Sequence, residues 1–123
     1  MLELLHQVSL FAWLPEEGAE TLSNCFDLCV EELNAGETRT TEGRIGCLLR
    51  GGADFRTDND TRTLAPGDVF ALDRDRNPLS GVLTAGEGCV AAWFHRDLVC
   101  HVCYRACWFH ARLIQEIDSK LSE

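Results

Sequence analysis

Short runs that are β-branched or alternate apolar with polar residues fill the middle of the chain, and glycine-centred turns separate them. These glycines are Gly36, Gly43, Gly51, Gly52 and Gly67. A helix does not tolerate glycine at this density, whereas short antiparallel strands use it at their turns. Eight strands are predicted, over residues 29–33, 38–41, 45–50, 53–57, 61–64, 69–72, 79–84 and 89–94. This near-even spacing predicts a double-sheet jelly roll, so the fold class is mainly β with flanking helices.

Helical patterns flank these strands at both ends of the chain. Pro15 suits the first turn of an N-terminal helix, and Glu16 and Glu17 are favourably placed against its dipole. A second helix, without Gly or Pro, is predicted over about 105–121. We therefore expect a single domain with N-terminal helices over residues 1–28, a β-barrel over 29–94 and a C-terminal dimerisation helix within 95–123.

The C-terminal helix carries an unusually wide apolar stripe. Ala106, His110, Leu113, Ile117 and Leu121 form it, and Phe109 and Ile114 widen it. A helix packed only against its own barrel needs a narrower stripe, so the surplus predicts a second copy of the helix across a homodimer interface. The alternative is a core helix that packs on one side only.

Composition narrows the choice of partners and compartment. The 123 residues include 20 acidic and 11 basic side chains, which gives a formal net charge of −9. Because nucleic-acid binding depends on Lys and Arg neutralising phosphates, we expect no nucleic-acid binding by this chain alone. The first residues lack the features of a secretory signal, and every apolar run is too short to span a bilayer. We expect a cytoplasmic protein with no membrane partner and no resident cofactor.

Six segments, in order along the chain, carry a family resemblance. They are residues 9–17 (SLFAWLPEE), 30–37 with 42–43 (VEELNAGE and EG), 47–52 (CLLRGG), 64–70 (LAPGDVF), 77–85 (NPLSGVLTA) and 107–114 (CWFHARLI). Together they resemble the sensor domain of the Crp/Fnr family, a cyclic-nucleotide-binding-like double-stranded β-helix. The resemblance implies an effector-sensing, dimerising regulatory domain of a transcriptional regulator. Crp/Fnr regulators continue into a helix-turn-helix domain, so we expect either that this part was removed or that the sensor domain stands alone.

The segment after LAPGDVF departs from the family members that bind cyclic nucleotides. Those members follow the Phe with Gly and a ribose-binding Glu, and then carry an Arg that pairs with the cyclic phosphate. Here Ala71 and Leu72 follow Phe70, and Ser80 lies near the position of the Arg. A charge-assisted phosphate clamp cannot be built from these residues, so we expect no binding of cAMP or cGMP.

The same segment predicts the effector pocket. The expected lining residues for an unknown small-molecule effector are Val69, Phe70, Ala71, Leu72, Ser80 and Val82. Arg74 and Arg76 lie in the loop between them, interleaved with two aspartates. We interpret this loop as solvated, with a displaced phosphate site as the alternative.

Seven cysteines, with no export signal, leave metal or redox chemistry open. A thiol-based metal or redox sensor that uses Cys100, Cys103 and Cys107 is therefore the alternative function. A continuous helix would stretch the ligand-type residues from Cys100 to His110 over about 15 Å, too far for one ion, so burial as small apolar side chains is the favoured interpretation.

The sequence contains no catalytic signature, and we expect no enzyme. Neither a nucleophile elbow nor a zinc-protease motif is present. A metal-dependent cupin would need histidines on its strands, but all four histidines lie outside the predicted barrel. A third hypothesis is a structural dimerisation module whose barrel is filled by its own side chains.

Overall fold

The computed structural model describes residues 1–100 and 108–122, and its centre is a pair of four-stranded antiparallel sheets. The strands are β1 (Cys29–Leu33), β2 (Thr38–Thr40), β3 (Arg44–Arg50), β4 (Ala53–Arg56), β5 (Thr61–Leu64), β6 (Val69–Phe70), β7 (Val82–Ala85) and β8 (Cys89–His95). One sheet has the strand order β1-β8-β3-β6, and the other has the order β2-β7-β4-β5. The predicted jelly roll is confirmed.

The first sheet is buried on both faces, and we call it the helix-facing sheet. Along β3, Ile45, Cys47 and Leu49 pack with the helices, whereas Leu48 belongs to the core between the two sheets. The second sheet, which we call the outer sheet, buries only one face. Its other face presents polar side chains such as Asp54 to solvent. This difference explains why β8 is apolar at almost every position while β4 alternates.

Within residues 1–100 and 108–122, four helices flank the sheets. They are α1 (Leu2–Leu5), α2 (Glu16–Phe26), α3 (Asp97–Cys100) and α4 (Trp108–Leu121). The helix α2 ends at Asp27, a left-handed residue whose backbone N–H donates to the carbonyl of Leu22. The predicted start of the last helix, at residues 105–107, lies outside the described residues. None of the helices in the described ranges combines the length and the apolar character that crossing a membrane requires.

The apolar stripe of α4 packs against the chain's own body, which corrects the interface prediction. Leu113 and Ile117 are 0% exposed and His110 is 4% exposed. His110 Nε2 also donates to the carbonyl of Leu98, and the His110 ring lies 4.9 Å from that of Phe26. These three side chains therefore belong to the core of one chain and offer no surface to a partner.

Two members of the stripe keep some exposure. Phe109 and Leu121 are half-buried and pack against the edge of the core. The stripe is wide because α4 meets both the N-terminal helices and the helix-facing sheet, and a helix that contacts two bodies needs a wide apolar face.

Candidate functional site

The interior of the barrel is filled at the place where the pocket was predicted. Phe70 on β6 is the cross-strand partner of Gly46 on β3. A β-carbon at Gly46 would lie 2.2 Å from Phe70 Cζ, so the ring rests directly on the backbone of β3. Only glycine leaves room for this contact.

Two further aromatic rings complete the filling. The ring centroids of Phe55 and Phe70 are 5.7 Å apart, and Trp93 meets Phe70 edge to face at 5.2 Å. Phe70 and Trp93 are at most 1% exposed. Such tilted aromatic pairs add stabilisation beyond their buried area, so the interior is closed by a packed cluster.

A cavity of about 230 Å³ remains between this cluster and the mouth of the barrel. Its lining residues are Phe55, Thr57, Asp60, Arg62, Phe70, Ala71, Leu72 and Leu79. Sites for drug-sized ligands usually span about 300–1,000 Å³. The remaining space therefore suits a ligand smaller than that class.

Sequence reasoning missed Arg62, as it missed Phe55, Thr57 and Asp60 of the same cavity. Arg62 lies on β5 opposite Phe55. Its side chain is on the same face of the sheet as those of Leu64 and Ala53, which point into the core. Its Nη1 donates to the backbone carbonyl of Val69 at 3.1 Å, which joins the outer sheet to β6. A signal was available, because Thr61 and Thr63 point outward and the two-residue period then places Arg62 inward.

A larger cleft of about 580 Å³ adjoins the cavity. Its lining residues are Asp60, Arg62, Asp68, Val69, Leu72, Asp73, Arg74, Lys120 and Leu121. It separates the loop after β6 from the end of α4, and it carries three basic and three acidic side chains. Arg74 lines this cleft and not the smaller cavity.

The loop after β6 is ordered by its own hydrogen bonds. Asp73 Oδ1 accepts the backbone N–H groups of Asp75 and Asn77, each at 2.9 Å. These backbone hydrogen bonds, with that of Asn77 as the largest cause, hold the pKa of the Asp73 carboxyl below its usual value. Arg76 in the same loop lies 3.3 Å from Asp118 of α4. The predicted solvated loop is therefore attached to the last helix.

Ala71 retains the backbone conformation that glycine favours at this position. Its φ is +71°, in the left-handed region. Its carbonyl accepts the N–H of Leu79 at 2.8 Å, and Leu72 pairs with Pro78 as an isolated bridge. Because these contacts close the loop, β6 ends at Phe70, earlier than predicted, and β7 begins at Val82, later than predicted.

The predicted pocket residues divide into three groups. Phe70, Ala71 and Leu72 line the 230 Å³ cavity, and Val69 lines the adjoining cleft. Ser80 and Val82 line neither space, which corrects the prediction. Val82 points outward because Leu83 and Ala85 are the inward residues of β7, and Ser80 is exposed before the strand begins.

The predicted thiol site lies largely outside the described residues. Cys103 and Cys107 fall there, and α3 ends at Cys100. In residues 1–100 and 108–122, no group of three His, Cys, Asp or Glu side chains is arranged to hold a metal ion.

Four described cysteines are free thiols, and they divide by exposure. Cys25 and Cys29 are exposed, and Cys47 and Cys89 are buried. Burial raises the pKa of the Cys47 thiol to about 12 and also raises that of Cys89. The two buried thiols are therefore poor nucleophiles and poor metal ligands.

Comparison with known proteins identifies the fold of this chain but shows no family to which it belongs. No protein-family model and no curated protein matches the sequence. A putative cyclic nucleotide-binding protein from Geobacter metallireducens GS-15 matches 98% of this chain and 94% of its own, with a TM-score of 0.67 and 14% identity. The N-terminal domain of a transcriptional regulator from Streptomyces coelicolor A3(2) matches 97% of this chain and 90% of its own, with a TM-score of 0.56 and 20% identity.

A third similar structure is the regulatory subunit of a cAMP-independent protein kinase A from Trypanosoma brucei. It matches 99% of this chain and 44% of its own, with a TM-score of 0.64 and 17% identity. Identities of 20% or less establish architecture alone. The chain therefore has the jelly-roll fold of cyclic-nucleotide-binding domains, with an interior filled by its own aromatic side chains.

Proposed function

We propose that this chain is an effector-sensing regulatory domain of the Crp/Fnr type, cytoplasmic and without catalytic activity, that does not bind cAMP or cGMP. The lining of the cavity carries this proposal, because Ala71 and Leu72 stand where the members that bind cyclic nucleotides have Gly and the ribose-binding Glu, and Ser80 lies near the position of the phosphate-pairing Arg. The cavity of about 230 Å³ is smaller than the usual site for a drug-sized ligand, which favours a small effector.

The loop after β6 supports a regulatory role. It lines the cavity through Ala71 and Leu72 and meets α4 through the ion pair of Arg76 with Asp118. An effector that moves this loop would therefore bias the position of α4, which is the kind of differential contact that a ligand-driven shift requires. Regulation by helix movement follows from this link.

A homodimer remains part of the proposal, through a surface that differs from the one predicted. Trp108, at the start of α4, is 55% exposed, and Phe109 beside it is half-buried. Exposed tryptophan is typical of interface anchors. Phe109 and Leu121 are the members of the predicted stripe that can still contribute surface.

The test of the proposal is thermal denaturation with cAMP and cGMP, followed by calorimetric titration. We expect no change in Tm and no heat of binding from either nucleotide. A saturable stabilisation by cAMP or cGMP would refute the proposal, because it would show that the site holds a cyclic phosphate without the Glu and Arg of the binding members.

The filled barrel also favours a second candidate, the purely structural dimerisation module. That candidate predicts that small molecules leave Tm unchanged, whereas the sensing proposal predicts an effector that raises it. The thiol-sensor hypothesis stays a prediction, and metal analysis of protein purified under reducing, anaerobic conditions tests it. Stoichiometric zinc or iron would favour the thiol sensor over both other candidates.

A further inference from the structure

We infer that the 230 Å³ cavity is a binding site for an α-amino acid with an apolar side chain of about the size of leucine. This inference rests on the proposed function, since it names the effector class of the same site. Its basis is a pair of opposite charges, Asp60 and Arg62, beside an apolar wall.

The charged pair has the right arrangement for a zwitterion. Asp60 immediately precedes β5 and Arg62 is the second residue of that strand, and both side chains line the same cavity. Both line the cavity, and no ion pair joins them. The ammonium and carboxylate of an α-amino acid are close together, and they can occupy the gap between a carboxylate and a guanidinium.

Both charged side chains keep unused hydrogen-bonding capacity. Asp60 Oδ1 accepts the N–H of Thr61 at 2.9 Å, and its Oδ2 has no partner within the described ranges. Arg62 uses Nη1 for the carbonyl of Val69, and its Nη2 lies 3.7 Å from Asp68. Its Nε–H makes no hydrogen bond to residues 1–100 or 108–122. An acceptor for an ammonium group and a donor for a carboxylate are therefore both available.

The rest of the cavity suits an apolar side chain. Phe55, Phe70, Leu72 and Leu79 form its wall, and the first three of these are buried. A branched aliphatic group placed against this wall loses its contact with water without leaving a polar group unpaired. The volume of the cavity is sufficient for a molecule of amino-acid size.

The test is calorimetric titration of the whole chain with L-leucine and with two analogues that each lack one charge. N-acetyl-L-leucine has no ammonium group, and L-leucinamide has no carboxylate. We expect saturable binding of L-leucine and at least about tenfold weaker binding of both analogues, because each lacks the charged group that would pair with Asp60 or with Arg62.

Matched variants locate the site. Arg62→Met and Asp60→Asn should each weaken L-leucine binding by at least about tenfold. Arg56→Met is the control, since Arg56 is exposed on the opposite face of the same sheet, and it should leave binding unchanged. Far-UV circular dichroism and Tm establish that each variant is folded before its titration is interpreted.

Three results would overturn the inference. They are no binding of L-leucine at millimolar concentration, binding of N-acetyl-L-leucine as tight as that of L-leucine, or equal loss of binding in Arg56→Met and Arg62→Met. A parallel titration with cAMP separates this failure from that of the proposed function. If neither ligand binds, only the amino-acid site is refuted, whereas cAMP binding refutes the proposed function itself.

Discussion

A β-carbon on Gly46 would fall 2.2 Å from Cζ of Phe70, its cross-strand partner, which is far inside van der Waals contact. The backbone of β3 and the ring on β6 therefore pack without a side chain between them. This contact sets the amount of free space inside the barrel, and its removal or enlargement has measurable consequences.

Gly46→Ala should destabilise the fold by about 1–3 kcal/mol, because the added methyl group forces Phe70 away from its rotamer or the two strands apart. The free energy of unfolding in urea measures this loss. Phe70→Leu in the Gly46→Ala background should recover part of it, since the smaller side chain makes room for the methyl group.

Gly86→Ala is the matched control for this substitution. A β-carbon at this exposed position would meet only the carbonyl oxygen of Gly52, at 3.7 Å. We expect a change within about 0.5 kcal/mol. If Gly46→Ala and Gly86→Ala were equally stable, Phe70 would not be packed on Gly46 in solution.

Ala71→Gly should be tolerated better than other buried Ala→Gly changes. Ala71 has φ +71°, and the left-handed region costs a residue with a β-carbon about 1–2 kcal/mol that glycine does not lose. This relief offsets the lost methyl contact and the extra chain entropy of glycine. We expect the free energy of unfolding to stay within about 1 kcal/mol of the parent.

Ala91→Gly provides the comparison, because Ala91 is 0% exposed in β8 and has no positive φ. It should lose about 1–2 kcal/mol from chain entropy and the deleted methyl group. Equal losses at Ala71 and Ala91 would contradict the left-handed conformation of the loop.

Stability should fall in alkaline solution through Cys47. Burial is the largest cause that raises the pKa of this thiol from 9.0 to about 12. Lys120 lowers this pKa and Asp68 raises it, each by less than burial does. Above pH 9 the unfolded chain loses the thiol proton while the folded chain keeps it. The contribution of this thiol to the free energy of unfolding is therefore complete below pH 9 and is lost as the pH rises to about 12. The slope is about 1.4 kcal/mol per pH unit.

Urea unfolding at a series of pH values, for the parent and for Cys47→Ala, isolates this effect. Cys89, whose pKa is also raised by burial and then by Glu31 and Glu87, contributes equally to both proteins. The difference between the two curves should therefore narrow above pH 9. Parallel curves up to pH 11 would show that the Cys47 thiol is accessible in the folded state.

Substitutions on α4 should separate stability from association. Leu113→Ala should cost about 2–5 kcal/mol of folding free energy, because Leu113 is fully buried in the core of one chain. Trp108→Ala should change stability by about 1 kcal/mol or less and weaken the proposed dimer. Sedimentation velocity and urea unfolding measure the two quantities. A parent chain that is monomeric at every concentration would refute the dimer.

The elements that form through local interactions could be predicted from the sequence, whereas those that depend on long-range contacts could not. The strand predictions at 29–33 and 61–64 match β1 and β5, since alternation and glycine turns are local signals. The prediction over 79–84 began too early because Leu79 donates to Ala71 instead of extending β7. That hydrogen bond depends on how the loop closes, which no local pattern records.

The candidate site was predictable only in part, for the same reason. Phe70, Ala71 and Leu72 were placed in the pocket by their motif, and they do line the cavity. Arg62 was missed because its role depends on a neighbour across the sheet, Phe55, and on a carbonyl seven residues away at Val69. Pairing of this kind is set by strand register and not by composition.

The linear chain by itself determined the order of elements and the turn positions, because each depends on neighbours within a few positions. Only the tertiary structure decided what covers each apolar face. The stripe of α4 was interpreted as a surface for a partner helix, with its own core as the alternative, and His110, Leu113 and Ile117 lie in the core. Burial lowers the free energy whichever body supplies the contact, so an apolar stripe alone cannot name the surface that covers it.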